Sequence, residues 1–341
     1  MTVLTNMKKS LMMKISSIVA TISVSASVLF ISDVNAEVLR SGFPLMMEIT
    51  DSRMLALGGA ALTESGRVDA MSQNVASLSN SSRNLSASYA KHPSEIWSGR
   101  LLAGDKIGEL NYAAYLQTYG YGSFNRSESG FGSSGGTFDA SENLFGVGVA
   151  GELFERFAWG IGGKIDWLNL DGTTSAAGAI DIGITYDPEW EKMKFGISLK
   201  NWGSEFGGDE KFETPTPTEL SFAASKRLQH LPLTLYSVVH LRRNGEGDVN
   251  ANFLPNEPGI AYGAGGEFEI TPSNAEKPFH LRFGYRSIGQ GFRVGNSKDT
   301  FAGFSFGLGL FVKRLSFDYA FAPFGALGHV HRLGISKTLN H

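Results

Sequence analysis

The chain contains no cysteine, so no disulfide framework holds it together. Beyond residue 40 it also lacks any run approaching the ~20 apolar residues that a membrane-spanning helix requires. Its formal net charge is only −3 and its lysines and arginines are scattered, which argues against nucleic acid as a partner. A chain of this kind can enter a membrane only as a closed sheet, because a bilayer tolerates only helices and closed barrels.

Glycine and phenylalanine are abundant instead, with 42 and 24 of the 341 residues. The glycine content is well above the usual share of about 7%. The arrangement is clearest in residues 300–312, where one face carries Ala302, Phe304, Phe306, Leu308, Leu310 and Val312, and the other carries glycine and serine. Strict alternation predicts a strand. A large apolar face opposite a small face suits a wall between lipid and a lumen.

The same alternation recurs along the chain and predicts an all-β fold, a transmembrane antiparallel β-barrel of about fourteen strands with a small N-terminal helical plug. The predicted strands lie near residues 83–91, 97–105, 109–120, 141–152, 156–169, 177–187, 193–202, 217–227, 231–242, 258–270, 279–287, 300–312, 313–322 and 329–339.

The lengths of the predicted connections support this interpretation. Connections after even-numbered strands are mostly short, whereas those after odd-numbered strands are mostly longer, at 121–140, 203–216, 243–257 and 287–299. Outer-membrane barrels show this asymmetry, with short periplasmic turns and long external loops. An even strand count then places both termini on the periplasmic side.

The N-terminus resembles a bacterial secretory signal peptide over residues 1–36. Lys8, Lys9 and Lys14 precede an apolar run at 15–31, and Val34-Asn35-Ala36 supplies a small-residue cleavage site. An uncleaved anchoring helix is the alternative, but serine and threonine dilute the run. We expect cleavage after Ala36, export, and residence in the bacterial outer membrane.

Residues 37–82 do not alternate, and residues 83–341 form the predicted barrel. Short helical patterns near 51–60 and 68–78 predict a plug inside the lumen or across the periplasmic mouth. An unordered leader is the alternative, but Met54, Leu55 and Leu57 require burial.

The predicted inward faces carry charges of both signs, which can pair across a lumen. Placed outward, a mid-bilayer arginine or lysine would cost roughly 2–4 kcal/mol. The inward glycines indicate that backbone packs closely against the wall, so we expect a narrow, plugged lumen. The predicted lumenal charges are Lys164, Asp166, Asp181, Lys200, Glu267, Glu269, Arg282, Arg286 and Asp318.

Several motifs resemble catalytic or binding sites. Residues 146–151 match G-x-G-x-x-G and residues 303–307 match G-x-S-x-G, but both lie within alternating strands, where neither motif has its required turn. His329 and His331 share a face without a third metal ligand. Glu267 and Glu269 could form a carboxylate pair, although salt bridges to Arg282 and Arg286 are the simpler interpretation. We therefore predict no enzyme activity, no metal and no cofactor.

Three segments resemble PorV/PorQ-type outer-membrane proteins, which share the FadL-like barrel. They are residues 53–60 (RMLALGGA), residues 179–186 (AIDIGITY) with the following Asn201-Trp202-Gly203, and residues 318–332 (DYAFAPFGALGHVHR). The resemblance implies a fourteen-stranded plugged barrel that serves type IX secretion by accepting cargo with a C-terminal signal domain. This chain departs from the family at Asn74-Val75-Ala76, where Asn-Pro-Ala is usual, and at its non-aromatic C-terminus.

The resemblance also assigns two sets of candidate residues, a plug set and a rim set. It implies binding of cargo or secretion partners through the external loops, in contact with outer-membrane lipid. The alternative is a FadL-like transporter of long-chain fatty acids or other hydrophobic compounds, with a small molecule in the lumen; a purely structural envelope protein is a third reading. The plug set is Arg53, Leu57, Gly58, Gly59, Ala60 and Asn74; the rim set is Pro323, Phe324, Gly325, Leu327, Gly328, His331 and Arg332.

Overall fold

The computed structural model describes residues 43–128, 133–207, 216–242, 259–271, 279–287, 301–325 and 328–339. The predicted signal peptide and its cleavage site lie outside these residues. Within them the chain is dominated by β-strands, with a few short helical turns near the N-terminal end.

Fourteen antiparallel strands close into a barrel, which confirms the predicted fold class. Each strand pairs with its neighbours in sequence, and β1 pairs with β14 to close the ring. The strands are β1 (Asn84–Lys91), β2 (Trp97–Ile107), β3 (Leu110–Glu128), β4 (Ser133–Phe154), β5 (Phe157–Leu170), β6 (Thr173–Tyr186), β7 (Met193–Gly207), β8 (Glu219–Arg227), β9 (Leu233–Arg242), β10 (Gly259–Ile270), β11 (Phe279–Arg286), β12 (Phe304–Val312), β13 (Leu315–Pro323) and β14 (His329–Thr338).

The alternation of each strand sets its two faces. In β12, Phe304, Phe306 and Leu308 are exposed on the outside, whereas Ser305 is buried inside. Similar outward apolar residues recur on the other strands, from Leu85 in β1 to Ile335 in β14. A continuous exposed apolar band is what the outer wall of a barrel presents to lipid.

The two ends of the barrel differ. The short-turn end, defined by residues 108–109, 155–156 and 313–314, carries the chain ends of the barrel. The loop end carries the connections at 208–218, 243–258 and 287–303. The predicted asymmetry is therefore partial. Residues 92–96, 171–172 and 324–328 are short connections at the loop end, and residues 271–278 are a longer one at the short-turn end.

One predicted loop is largely strand over its described residues, and a second begins as strand. Residues 121–128 and 133–140 extend the β3–β4 hairpin, with Phe124 opposite Phe138, so the predicted loop at 121–140 is wrong over the described residues. β7 likewise continues to Gly207. Polar, glycine-rich sequence resembled a loop here because strands that extend beyond the lipid no longer need an apolar face.

A tight turn at Asp171-Gly172 was also missed. Both residues have positive φ, at 47° and 79°, and they join β5 directly to β6. Asp-Gly at the centre of a two-residue hairpin favours a type I′ turn because both positions require positive φ.

The lumen is filled by the N-terminal segment 43–82, which we call the plug. Its helical turns are Pro44–Met47, Ser52–Ala56, Val68–Ala70 and Val75–Leu78. Met54, Leu57 and Leu78 are fully buried against inward-facing wall residues. None of the described helices is long and apolar enough to cross a membrane.

Candidate functional site: the plug and the loop-end chamber

The plug backbone lies directly on inward glycines of the wall. A Cβ on Gly284 of β11 would overlap backbone atoms of Gly58 and Leu57, and a Cβ on Gly265 of β10 would overlap Leu57. Gly58 itself has φ of +64°, a conformation that glycine adopts without strain. The inward glycines therefore let two backbones approach where any side chain would hold them apart.

Arg53 joins the plug to the wall. Its guanidinium donates to both carboxylate oxygens of Glu267 in β10, at 2.7 and 2.8 Å, and to both oxygens of Glu64 in the plug, at the same two distances. It also donates to the hydroxyl of Tyr236 at 3.0 Å. Bidentate arginine–carboxylate pairs are strong and fix orientation, so this contact anchors the plug in one position.

The same cluster controls the ionisation of Glu64. Burial by itself would raise the pKa of Glu64, but Arg53 and Arg67 outweigh burial and hold that pKa below its ordinary value. Asp51 behaves in the same way, because Arg67 and Arg100 lower its pKa against the effect of burial. The charged plug is therefore stabilised at neutral pH.

Further contacts fix the rest of the plug. The amide of Asn74 donates to the Leu62 carbonyl at 2.7 Å, and its Oδ1 accepts from Ala76 N at 3.1 Å, so Asn74 shapes the turn before Val75. On β8, the hydroxyl of Ser225 lies 2.7 Å from that of Thr63.

A second charge cluster lies across β4, β5 and β6. Lys164 pairs with Asp181 at 2.6 Å, and the other oxygen of Asp181 accepts from Asn201 N at 2.7 Å. Asn201 has φ of 59° at a register shift in β7, where the strand changes which residues face inward. Asp166 is fully buried nearby, beside Glu142.

The remaining predicted lumenal charges follow the expected pairing only in part, since Arg282 binds Glu267 as expected and Glu269 has a different partner. Arg282 binds Glu267 at 2.6 Å and also Asp318. Glu269 pairs at 3.3 Å with Arg227, near the short-turn end, and not with Arg286. Glu267 and Glu269 therefore do not act together as a carboxylate pair.

The structure separates the predicted rim residues. Pro323 ends β13, and Phe324, Gly325 and Gly328 follow it at the loop end, whereas Leu327 lies outside the described residues. His331 faces outward and bonds to Tyr319 at 2.7 Å. Arg332 is not at the rim surface: it points inward, is fully buried, and binds Glu48 of the plug, because alternation puts it on the face opposite His331.

Above the plug, on the side of the loop end, lies a cavity of about 160 Å³ that we call the loop-end chamber. Its floor includes Pro44, Met47, Glu48 and Ile49 of the plug. Its walls carry Lys200, Glu219, His240, Arg242, Arg286 and Phe324.

Glu219 is the centre of the charged wall of this chamber. Arg242 binds it at 2.6 Å and Lys200 at 3.2 Å, and His240 lies 3.1 Å from it. Lys200 also donates to Gln73 of the plug at 2.7 Å. One carboxylate is thus shared by two permanent cations.

Sequence reasoning missed Glu48, Glu64, Glu219, Tyr236 and Arg242. For Glu219 and Arg242 a signal existed, since both occupy inward positions of strands whose bounds were predicted. For Glu48 and Glu64 no such signal exists, because an irregular plug has no alternation from which direction can be inferred.

The Arg53 cluster can anchor the plug to the wall, and the charged wall of the loop-end chamber can bind a charged group. Within the described part of the chain, no three His, Asp or Glu side chains are grouped so as to hold a metal ion. His329 and His331 lie side by side on the outer face, with ring centres 4.8 Å apart.

No family profile and no curated protein matches the sequence. Solved structures do match the fold. The toluene transporter TbuX of Ralstonia pickettii has a TM-score of 0.59 at 12% identity, covering 85% of this chain and 98% of that one. The toluene transporter TodX of P. putida has a TM-score of 0.56 at 10% identity, covering 86% and 100%. A Pseudomonas aeruginosa FadL homologue has a TM-score of 0.50 at 9% identity, covering 85% and 98%. At these identities the likeness shows a FadL-like barrel fold and no more.

Proposed function

We propose that the protein is an outer-membrane barrel of the PorV/PorQ type, with a fixed plug and a loop end that binds secreted cargo or secretion-system partners. The observation that carries this proposal is the bidentate contact of Arg53 with Glu267, which ties plug to wall at 2.7 and 2.8 Å. Removing one partner of a buried ion pair costs about 3–5 kcal/mol, so a movement that separates Arg53 from Glu267 without supplying another partner is strongly unfavourable.

A plug that stays in place favours a protein that binds partners over a protein that lets solutes pass through its lumen. Three wall serines donate hydrogen bonds to backbone carbonyls of the plug: Ser88 of β1, Ser198 of β7 and Ser305 of β12. Moving the plug would break these bonds together with the ion pairs. Loops on a rigid scaffold remain free to bind a partner.

Loop deletion tests this proposal. Shortening residues 243–258 at the loop end should abolish capture of partner proteins from solubilised outer membranes while leaving heat-modifiable barrel folding intact. Shortening residues 271–278 at the short-turn end is the matched control and should leave capture unchanged. Equal capture by both variants would contradict the proposal.

A reversible crosslink tests the fixed plug. Because the chain has no cysteine, Thr63→Cys with Ser225→Cys introduces a single pair, at positions whose hydroxyl oxygens lie 2.7 Å apart. The oxidised double variant should capture partners as well as the reduced one. Loss of capture on oxidation, restored by reductant, would show that the plug must move.

The second candidate function is transport of hydrophobic compounds, because the fold likeness spans nearly the whole of two toluene transporters. This function predicts that the same crosslink blocks uptake of labelled toluene by cells producing the protein, and that reductant restores it. Uptake no greater than in cells lacking the protein would exclude it.

A further inference from the structure

The loop-end chamber contains more positive charge than its own carboxylates neutralise. Lys200, Arg242 and Arg286 face it, against Glu48 and Glu219. Glu48 is already bound by Arg332, and Glu219 is shared by Lys200 and Arg242. Counted over the described residues, the cluster therefore keeps a net positive charge at neutral pH.

Of the three chamber cations, Arg286 is the one that the described residues leave without a carboxylate. Among the described residues it forms no ion pair and no side-chain hydrogen bond, and its guanidinium lies 5.7 Å from the centre of the Phe324 ring. The charged groups that face it are Glu48, Arg242 and Arg332. A guanidinium has five donors, so stacking on a ring leaves its hydrogen-bonding capacity unused.

Arg242 presents a second unused donor. Its Nε is bound to Glu219, but its buried Nη1 has no hydrogen-bond partner among the described residues. Buried donors without a partner are costly, and a water or an anion that enters the cavity would restore the missing bond. Two arginines with free donors thus line one cavity.

The geometry points to an anion site in the loop-end chamber that takes a small organic carboxylate. The carboxylate lies between Arg242 and Arg286, because guanidinium groups bind planar carboxylates through paired hydrogen bonds. The apolar part of the ligand contacts Met47, Ile49 and Phe324. A cavity of about 150 Å³ is large enough for benzene, so the chamber admits a ligand of about one ring.

Binding to the full-length protein in detergent tests this site, with benzoate as the probe and benzyl alcohol and toluene as neutral probes of similar shape. Benzoate should bind in calorimetry, and the two neutral compounds should bind at least about tenfold more weakly. Equal binding of benzyl alcohol, or no binding of benzoate at millimolar concentration, would overturn the proposal.

Variants locate the site. Arg286→Gln and Arg242→Gln should each weaken benzoate binding about tenfold or more, whereas Arg156→Gln, at the exposed β4–β5 turn, should leave it unchanged. Heat-modifiability on gels confirms that each variant is folded. If Arg242→Gln does not fold, Arg286→Gln decides alone, and unchanged affinity in that variant overturns the assignment.

A second arm distinguishes the source of the carboxylate. A capped Gly-Glu-Gly peptide is compared with its Gly-Gln-Gly counterpart. Binding of the glutamyl peptide, lost in Arg286→Gln, assigns the same site to an acidic side chain of a polypeptide. Equal binding of both peptides together with no benzoate binding contradicts carboxylate recognition.

Discussion

Arg53 is the residue on which the position of the plug depends most directly. It lies in a helix of only five residues, Ser52–Ala56, whose first turn is capped by the side chain of Asp51. Its side chain is 6% exposed and binds two carboxylates, one in the plug and one in the wall. A lysine could not replace it, because an ammonium is a point charge and lacks the planar fork that spans both carboxylates.

Arg53→Met should destabilise the docked plug by about 3–5 kcal/mol, since it leaves Glu64 without its main partner. Limited proteolysis of the plug in the folded barrel measures this as faster cleavage within residues 43–82. Arg83→Met is the control, because Arg83 is exposed at the short-turn end and pairs with Asp105 of the wall. Equal cleavage rates in the two variants would contradict the anchoring role.

The lowered pKa of Glu64 predicts that acid loosens the plug. A carboxyl whose folded pKa lies below its ordinary value of 4.5 stabilises the fold fully above pH 4.5 and loses this contribution as the pH falls through the folded pKa. The protection of the plug amides against hydrogen exchange, after correction for the intrinsic exchange rate at each pH, should therefore fall below pH 4.5 in the wild type. Glu64→Gln should remove the part of the pH dependence that comes from Glu64. An identical pH profile in the wild type and the variant would contradict the role of Glu64 in holding the plug.

At the scale of elements, the contact between plug and sheet depends on the absence of side chains. Gly284→Ala should shift the plug at a cost of about 1–3 kcal/mol, because the new Cβ meets backbone at Gly58 and Leu57. Gly163→Ala is the matched control, since a Cβ there meets nothing within 4 Å. Thermal unfolding of both variants should show a lowered midpoint only for Gly284→Ala. Equal midpoints would mean that the plug accommodates the added methyl group without strain.

The elements themselves were predictable because alternation is local. The observed bounds of β1, β5 and β11 lie within a residue or two of those expected. Residues 121–140 were not predictable in this way, because hairpins beyond the lipid keep their backbone pairing without an apolar face. The register shift at Asn201 gives no signal in the composition either. Lys200 and Asn201 are both buried there, so the alternation of inward and outward residues is interrupted at this point of β7.

The candidate site was predictable only in part. Inward charges such as Lys164 and Arg282 follow from strand alternation, which predicts the direction of a side chain from its immediate neighbours in the chain. Alternation cannot predict their partners, and it says nothing about Arg53 and Glu267, which are 214 positions apart in the chain. Such pairing depends on the position of the irregular plug in the folded barrel, and the periodicity of the strands carries no information about that position.

At the scale of the whole molecule, the outer face should respond to charge according to depth. Leu308→Arg, in the middle of β12, should destabilise the inserted barrel by about 2–4 kcal/mol, whereas Val312→Arg at the strand end should cost about 0–1 kcal/mol. Folding into lipid vesicles under urea titration measures both. Equal costs would mean that the outer band does not lie in lipid.

The pairing of β1 with β14 has a consequence for the order of assembly. Every other strand neighbour is adjacent in sequence, whereas this seam joins Asn84 to Thr338. The ring therefore closes only when the first and last strands of the barrel meet, and such long-range pairing is slow because loop-closure entropy opposes it. We expect the plug to pack against the open sheet first and to be enclosed when β1 and β14 pair.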